Sequence, residues 1–351
     1  MNLHIVGGFL GSGKTTAIAA AAKHLLAAGK RVGIVTNDQG RYLVDTAFFR
    51  SLHMPAVEVT GGCFCCNYND LDASLAQLQA QVQPDVIFAE SVGSCTDVVA
   101  TVVKPLLHLS QQPASLSVFV DCRLLQRRLA GLELPFADDV VYIFDKQLEE
   151  AGLIVVNKID LLDDAAREAL ASRIEGRFPG RRVLLQNTLD AGNIAHWVDL
   201  LESGALPPVQ ASLDIDYARY GAGEADLAWL DAEFDFVLPN DQGRQVIETF
   251  LTALTHELRG SPVGHLKLMV NDGIEQIKIS LTSADGVIGA LPPLRGQQLG
   301  IVLNIRAQTE AGHLEAITQW ALALALQGVP LARWDAQHFH PGFPHPTHRL
   351  A

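Results

Sequence analysis

Three thiols crowd into four residues of this chain, Cys63, Cys65 and Cys66, within the run Gly61-Gly62-Cys63-Phe64-Cys65-Cys66-Asn67. Such crowding is poor geometry for a disulfide framework and good geometry for a thiolate cluster. On a tight glycine turn these thiolates suit a soft or borderline ion, Zn²⁺ or tetrahedral Co²⁺. They supply three ligands, so a fourth would come from water, from Asp38 or from a partner. Structural zinc sites close with four protein ligands, whereas three ligands and an open position suit a site that loads and unloads. The bland alternative is a set of buried cysteines packed as small hydrophobes. Cys95 and Cys122 stand apart in the chain and are read in that second way.

A second set of residues points to phosphate. Gly8-Phe9-Leu10-Gly11-Ser12-Gly13-Lys14-Thr15-Thr16 fits the P-loop spacing, with Gly8, Gly13, Lys14 and Thr15 at the defining places. Its glycines, Gly11 included, let backbone N–H groups of Ser12 to Thr16 converge on phosphate oxygens at the positive end of a helix. Lys14 is expected to reach the outer phosphates and Thr15 to ligate Mg²⁺. Downstream, Asp85 to Gly93 reads as a buried strand ending in Glu90, which can organise Mg²⁺ or an attacking water, with Gly93 placed to approach the γ-phosphate. Asn157-Lys158-Ile159-Asp160 follows another apolar strand. There Asp160 can accept hydrogen bonds from the N1–H and exocyclic amine of guanine, Asn157 can brace the loop and Lys158 can pack over the base. GTP is favoured over ATP.

Elements must hold these groups in place. Leu3 to Val6 predicts a strand before the P-loop, and an alanine-rich helix after it runs to about Ala28 and stops at Gly29. A first strand beginning almost at Met1 leaves no room for a signal peptide. Further strands are expected at 31–36, 57–60, 85–89, 116–121, 152–156 and 182–186, alternating with helices at 71–82, 98–109 and 165–178. That alternation predicts an α/β domain with a mostly parallel, doubly wound sheet, whose ligands bind beyond the carboxyl ends of the strands. After a boundary at Leu206-Pro207-Pro208 the order β-α-β-β-β-α over 228–327 predicts a smaller α+β domain with an antiparallel sheet. The division is therefore 1–205, a linker at 206–225, 226–330, and a His/Pro-rich tail at 331–351.

At this point the motifs carry a family resemblance. The P-loop, the Gly-Gly-Cys-Phe-Cys-Cys turn, the Glu-Ser-Val-Gly strand end and Asn-Lys-Ile-Asp occur in that order. The chain resembles the CobW-like metallochaperone GTPases, relatives of the nickel-insertion GTPases that serve urease and hydrogenase. The resemblance implies a metal beside the nucleotide, with GTP state controlling metal affinity and delivery to a client. It implies that Asn37-Asp38-Gln39-Gly40 is a switch segment, with Asp38 one methylene shorter than the glutamate usual in the family. It also implies that the C-terminal domain contacts client or partner, and that the Val118 to Asp121 strand is architectural.

Composition narrows the rest. A chain of 351 residues, 48% hydrophobic, has material for two cores. Its formal charge of -13, from 26 basic and 39 acidic residues, argues against sequence-independent nucleic-acid binding. No apolar run reaches the length of a membrane span. The expectation is a cytoplasmic GTPase that binds Zn²⁺ or Co²⁺ and delivers it to a client metalloprotein or cofactor-synthesis enzyme, with a homodimer left open. Lys14, Asp38 and Glu90 are the catalytic candidates, and no arginine stands out as a finger in cis, so turnover is expected to be slow. Alternatives are a nucleotide-dependent activator of a corrinoid or methyltransferase system without metal transfer, and a zinc-storage protein with a vestigial GTP site. His338, His340, His345 and His348, interleaved with prolines, suggest a metal relay, but their irregular spacing favours an extended tail packed on the protein.

Overall fold

The apolar run behind the P-loop becomes β1 (Asn2–Gly8), the central strand of a seven-stranded sheet. The structure, a computed structural model, describes residues 1–204, 206, 211–239, 241–286 and 291–351. Along the chain β1 is followed by α1 (Lys14–Ala27), β2 (Val32–Asn37), α2 (Val44–Ser51), β3 (Ala56–Val59), α3 (Tyr68–Gln81) and β4 (Val86–Glu90). Val99–Val103 then winds as a π-helix into α4 (Lys104–His108). Next come β5 (Ala114–Asp121), α5 (Cys122–Leu129), α6 (Asp138–Glu150), β6 (Leu153–Asn157), α7 (Asp164–Arg177), β7 (Arg182–Leu185) and α8 (Ala191–Glu202).

The strand order is β3-β2-β4-β1-β5-β6-β7, and every pairing is parallel. Both faces of such a sheet are covered, which is why β4 and β6 are buried at every position rather than at alternate ones. Successive connections run in opposite directions from β1, so the crevice where ligands collect lies at the carboxyl ends of β1 and its neighbours. The P-loop, Glu90 and Asn157 all fall there.

The remaining elements are α9 (Tyr217–Ala225), β8 (Ala228–Val237), α10 (Gly243–Glu257), β9 (Val263–Asn271), β10 (Gln276–Leu281), β11 (Gln298–Ala307), α11 (Ala311–Leu326) and β12 (Leu331–Phe339). The strands form a five-stranded antiparallel sheet in the order β10-β9-β11-β8-β12. Its core gathers Phe234 and Phe236 of β8, Phe250 of α10, Leu303 of β11 and Leu322 of α11. This is the smaller α+β fold that the sequence predicts.

The chain sorts into two compact units. One comprises Met1–Gln39, His53–Gly223 and Pro344–Ala351, and the other Gly40–Leu52 and Glu224–Phe343. Three segments thus group differently from the division expected on sequence, and the first is the expected linker 206–225, which carries α9 and is divided between the units at Gly223. Residues 40–52 join the second unit because Asn304 accepts from Val44 N at 2.9 Å and donates to the Tyr42 carbonyl, while Asp45 pairs with Lys267 and Lys278. The region that reads as a tail is two things: β12, paired antiparallel with β8, and a final stretch that belongs with the first unit. The expected boundary at Pro207-Pro208 lies outside the described residues. Among the described residues no helix is long and apolar enough to cross a membrane.

Candidate functional site

The P-loop conformation depends on its glycines. Gly8, Gly11 and Gly13 have φ of 120°, 71° and 95°, backbone that side chains rarely adopt. A Cβ at Gly8 would lie 2.1 Å from the Phe119 carbonyl oxygen, and one at Gly13 would lie 2.3 Å from Asn157 Nδ2. Lys14 is buried, and its Nζ donates to the carbonyls of Gly8 at 2.8 Å and Phe9 at 3.3 Å. The Ser12 hydroxyl is buried with no hydrogen-bond partner among the described residues. An ammonium curled over a glycine cradle, with an unsatisfied hydroxyl in its wall, is a polar arrangement that phosphate oxygens complete. Thr15 Oγ1 donates to Glu90 Oε1 at 2.9 Å, so two hard oxygen donors stand together at the first turn of α1, a donor set that fits Mg²⁺. Thr16 is exposed on the same turn.

Asn157 ties the base-reading motif to this cradle. Its Nδ2 donates to the Ser12 carbonyl at 2.9 Å, and its Oδ1 accepts from Thr188 N at 3.1 Å and Thr188 Oγ1 at 2.6 Å. Lys158 sits in the left-handed region at φ 62° and places Nζ 2.9 Å from Asp121 Oδ2. Asp160 is exposed beside it. Asp121, at the end of β5, also N-caps α5 through Arg123 N. Burial alone would raise its carboxyl, but Arg123 and Lys158 outweigh that and bring it down to about 2. The resemblance implies an architectural role for this strand end; its carboxylate also fixes the Lys158 side chain.

The three crowded thiols converge. The ligand atoms of Cys63, Cys65 and Cys66 all lie within 4.8 Å of one another, with Cys63 Sγ 3.5 Å and Cys65 Sγ 3.8 Å from Cys66 Sγ. The turn closes through Cys66 N and Asn67 N, both donating to the Cys63 carbonyl, and Gly61 supplies a φ of 74° at its entry. Cys63 and Cys65 are buried and Cys66 is half-buried. Hydrogen bonds from the neighbouring thiols hold Cys63 well below the ordinary thiol range, and the bond shared with Cys63, with others to its own neighbours, pushes Cys65 up. One shared thiolate is thus favoured before any cation arrives. Asp38 is half-buried, donates its backbone N–H to the Val59 carbonyl at 3.2 Å, and is not a member of this group of converging ligand atoms.

Asn37, the residue before Asp38, clamps the turn. Its Nδ2 donates to the carbonyls of Val59 at 3.0 Å and Gly62 at 2.8 Å, and its Oδ1 accepts from Phe64 N at 2.8 Å. The sequence places Asn37 in a switch segment but carries no sign of this clamp. Cys122 is buried and donates to the Lys158 carbonyl at 3.0 Å, a packed residue as expected. Cys95 is likewise buried, as expected of a packed residue, and is not a member of the group of converging ligand atoms, although its thiol neighbours Cys63 and Cys65.

The end of the chain straps this region. Thr347 donates its N–H to the Cys65 carbonyl at 2.8 Å and its hydroxyl to the Cys66 carbonyl at 2.7 Å, while His345 N donates to Cys66 Sγ at 3.3 Å. Arg349 pairs with the buried Asp97 at 2.8 Å. Leu350 N donates to the Ala100 carbonyl at 2.9 Å. That carbonyl is available because the π-register would pair it with residue 105, and Pro105 has no N–H to give. The four histidines of the segment do not meet as a group: His338 pairs with Glu315, His340 with the Ala225 carbonyl, and the His348 ring packs edge-on against Tyr68.

Comparison with known proteins gives this geometry a context. A family model described as the CobW/HypB/UreG nucleotide-binding domain matches residues 2–184. The chain is 28% identical over 211 residues to a protein named zinc chaperone CobW from Sinorhizobium, covering 52% of this chain and 57% of that protein. It is 31% identical over 177 residues to one named zinc chaperone YeiR from Escherichia coli, covering 48% and 49%. The chain therefore spans about half the length of the curated relatives it matches. Among solved structures, HypB from Helicobacter pylori in complex with nickel is similar at TM-score 0.45 and 13% identity, over 60% of this chain and 92% of that one. Zn(II)-bound YjiA GTPase from E. coli is similar at TM-score 0.36 and 12% identity, over 92% and 98%. Structural likeness this distant carries no functional weight.

Proposed function

The chain belongs to the CobW/HypB/UreG family, and on that footing we propose that it is a GTP-hydrolysing metallochaperone. It takes Zn²⁺ or Co²⁺ as cargo on Cys63, Cys65 and Cys66 and passes it to a client metalloprotein or cofactor-synthesis enzyme, working in the cytoplasm. The names of its curated relatives, zinc chaperones, favour Zn²⁺. Gly8, Gly11, Gly13 and the N–H groups of Ser12 to Thr16 cradle the phosphates, Lys14 turns from its carbonyl partners to the outer phosphates, and Gly93 approaches the terminal one. Thr15 and Glu90 hold Mg²⁺, which when bound neutralises charge on the phosphate oxygens. Asp38 and Glu90 position the attacking water, and Asp160 reads guanine beside Lys158.

The observation that carries this reading is the Asn37 clamp. One side chain at the carboxyl end of β2 holds the Cys turn on both sides, through Gly62 O and Phe64 N, and the next residue is Asp38, to which this reading assigns the attacking water. A terminal phosphate that draws in the 37–40 segment therefore tugs on the thiol turn, and the coupling is reciprocal by linkage. Titrating Zn²⁺ and Co²⁺ into the metal-free protein, alone, with GDP and with a non-hydrolysable GTP analogue, tests it. The expected outcome is an affinity differing about 5- to 150-fold between the GDP and GTP-analogue forms. Equal affinities in all three forms would sink the reading.

A further inference from the structure

We propose that the groove beside the Cys turn is a peptide-binding site, filled in cis by the chain's own residues 344–351 and taken in trans by an extended, arginine-bearing segment of the client. The proposal rests on the reading of Cys63, Cys65 and Cys66 as the cargo site, because it says how that site is uncovered.

The strap lies on the protein as a bound peptide does. Residues 344–351 form no helix or strand, so they are held by what they lie on. Pro344 and Pro346 fix two backbone φ angles, which lowers the entropy lost when the segment docks. Backbone contacts dominate: Thr347 and Leu350 reach the carbonyls of Cys65, Cys66 and Ala100, and Ser212 donates to the Leu350 carbonyl at 2.7 Å. Arg349 adds the charged anchor. Its Nε donates to Asp97 Oδ2 at 2.8 Å and its Nη2 to the Leu213 carbonyl at 2.7 Å.

This docking is incomplete in a way that favours exchange. Asp97 is buried, yet its Oδ1 has no hydrogen-bond partner among the described residues. Its Oδ2 accepts from both Arg349 and the Tyr217 hydroxyl, the latter at 2.7 Å. A guanidinium can serve both oxygens of a carboxylate at once; Arg349 serves one and directs Nη2 to Leu213 instead. Of the strap residues only Pro344 is buried, so little apolar surface holds the segment down and local opening is easy. Whatever replaces it must bring a cation, since a neutral segment leaves the buried Asp97 without a counter-charge. A client arginine free to take both oxygens meets that need better than the strap does. Its arrival lifts His345 and Thr347 off the turn and brings the client to the thiols that carry the cargo.

The test uses the full, metal-free chain and a fluorescent synthetic peptide with the sequence of residues 344–351, read by anisotropy. Wild type is compared with Arg349→Ala/Leu350→Pro, which removes the ion pair and the N–H given to Ala100, and with Thr347→Pro, which removes both Thr347 donors. Circular dichroism establishes that each is folded. The tethered segment competes in the wild type at an effective concentration of about millimolar, so either variant should bind the peptide at least about tenfold more tightly than wild type. Placing Arg349→Ala in the peptide, or Asp97→Asn in the double variant, should weaken that binding at least about tenfold. Folded variants that bind no better than wild type, or binding indifferent to the peptide's arginine, would overturn the groove. In a second arm, saturating peptide should speed transfer of Zn²⁺ from the loaded wild type to a chromophoric chelator severalfold. Peptide binding with unchanged transfer would overturn the client's route to the thiols. A wild type that takes up no Zn²⁺ would overturn the cargo reading and the client's part with it, while the anisotropy alone decides the groove.

Discussion

Arg306 in the second unit and the Cys63–Cys66 turn in the first are both buried polar groupings, built on opposite principles. Arg306 is fully buried, stands 2.6 Å from Asp231 Oδ1, stacks 3.9 Å over the Trp229 ring and donates to the Leu230 carbonyl. It brings its own counter-charge. The hydrogen bonds of Cys63, Cys65 and Cys66 run instead to one another and to the His345 N–H. A buried ion pair closed on itself specifies a fold, whereas acids gathered without a cation form a place for one to arrive. The difference separates a structural cluster from a candidate metal site more sharply than burial does.

The largest effect should come from breaking the closed cluster. Arg306→Leu leaves Asp231 buried without its guanidinium and should cost about 3–5 kcal/mol in urea unfolding, while Co²⁺ binding by the surviving folded protein is retained. Cys63→Ser should show the inverse, with metal binding lost and metal-free stability changed far less. If the two variants behaved alike in both assays, the contrast would fail.

Glu150 sharpens the comparison because it is a buried acid that has solved the same problem by taking up a proton. Burial and the nearby charge of Asp97 push its carboxyl up to about 8, against the lowering effect of hydrogen bonds from Val99 N and Thr96 Oγ1. Between the ordinary value of 4.5 and about 8 the native state holds a proton that the unfolded chain has released, so stability falls as pH rises through that window. The slope approaches about 1.4 kcal/mol per pH unit. Glu150→Gln, whose amide can still accept from Val99 N and donate to the Thr96 hydroxyl, should flatten that slope in unfolding measured from pH 5 to 8. A slope identical to wild type would show that Glu150 does not carry it.

The smallest energetic effect is expected at the strap. Arg349 is partly exposed, but its partner Asp97 is buried and keeps the Tyr217 hydroxyl as a donor at 2.7 Å, so Arg349→Ala should cost about 1–2 kcal/mol, below the loss expected at Arg306. It should nevertheless raise the rate at which a thiol reagent labels Cys66 severalfold, because Asp97 no longer anchors the segment that carries Thr347 across the turn. Unchanged labelling would mean that the strap does not guard the thiols.

Legibility tracks sequence distance. The P-loop and Asn157 to Asp160 declare themselves in a few contiguous residues, and the burial of β4 and β6 is written as unbroken apolar runs. The parallel sheet and the antiparallel second unit are readable from such patterns. What stays hidden depends on partners far along the chain. The place of α2 in the second unit rests on Asn304 and two lysines more than 200 residues away. Strand β12 lacks a clean alternation because most of its residues are half-buried or exposed, so its histidines and the prolines beyond it read as tail. Cys95 looks solitary because sequence separates it from Cys65 and folding does not, although it stays outside the converging ligand atoms.

The strap also sets a clock. Cys66 and Thr347 are 281 residues apart, and the whole second unit is encoded between them, save for Gly40–Leu52. At ribosomal rates of about 5–20 residues per second, the thiol turn leaves the ribosome on the order of tens of seconds before the segment that covers it. A nascent chain thus presents its cysteines uncovered while Gly40–Leu52 still lacks the strands it packs on. Closure of the turn follows synthesis of the second unit, so a strapped cluster reports that translation has run to Leu350.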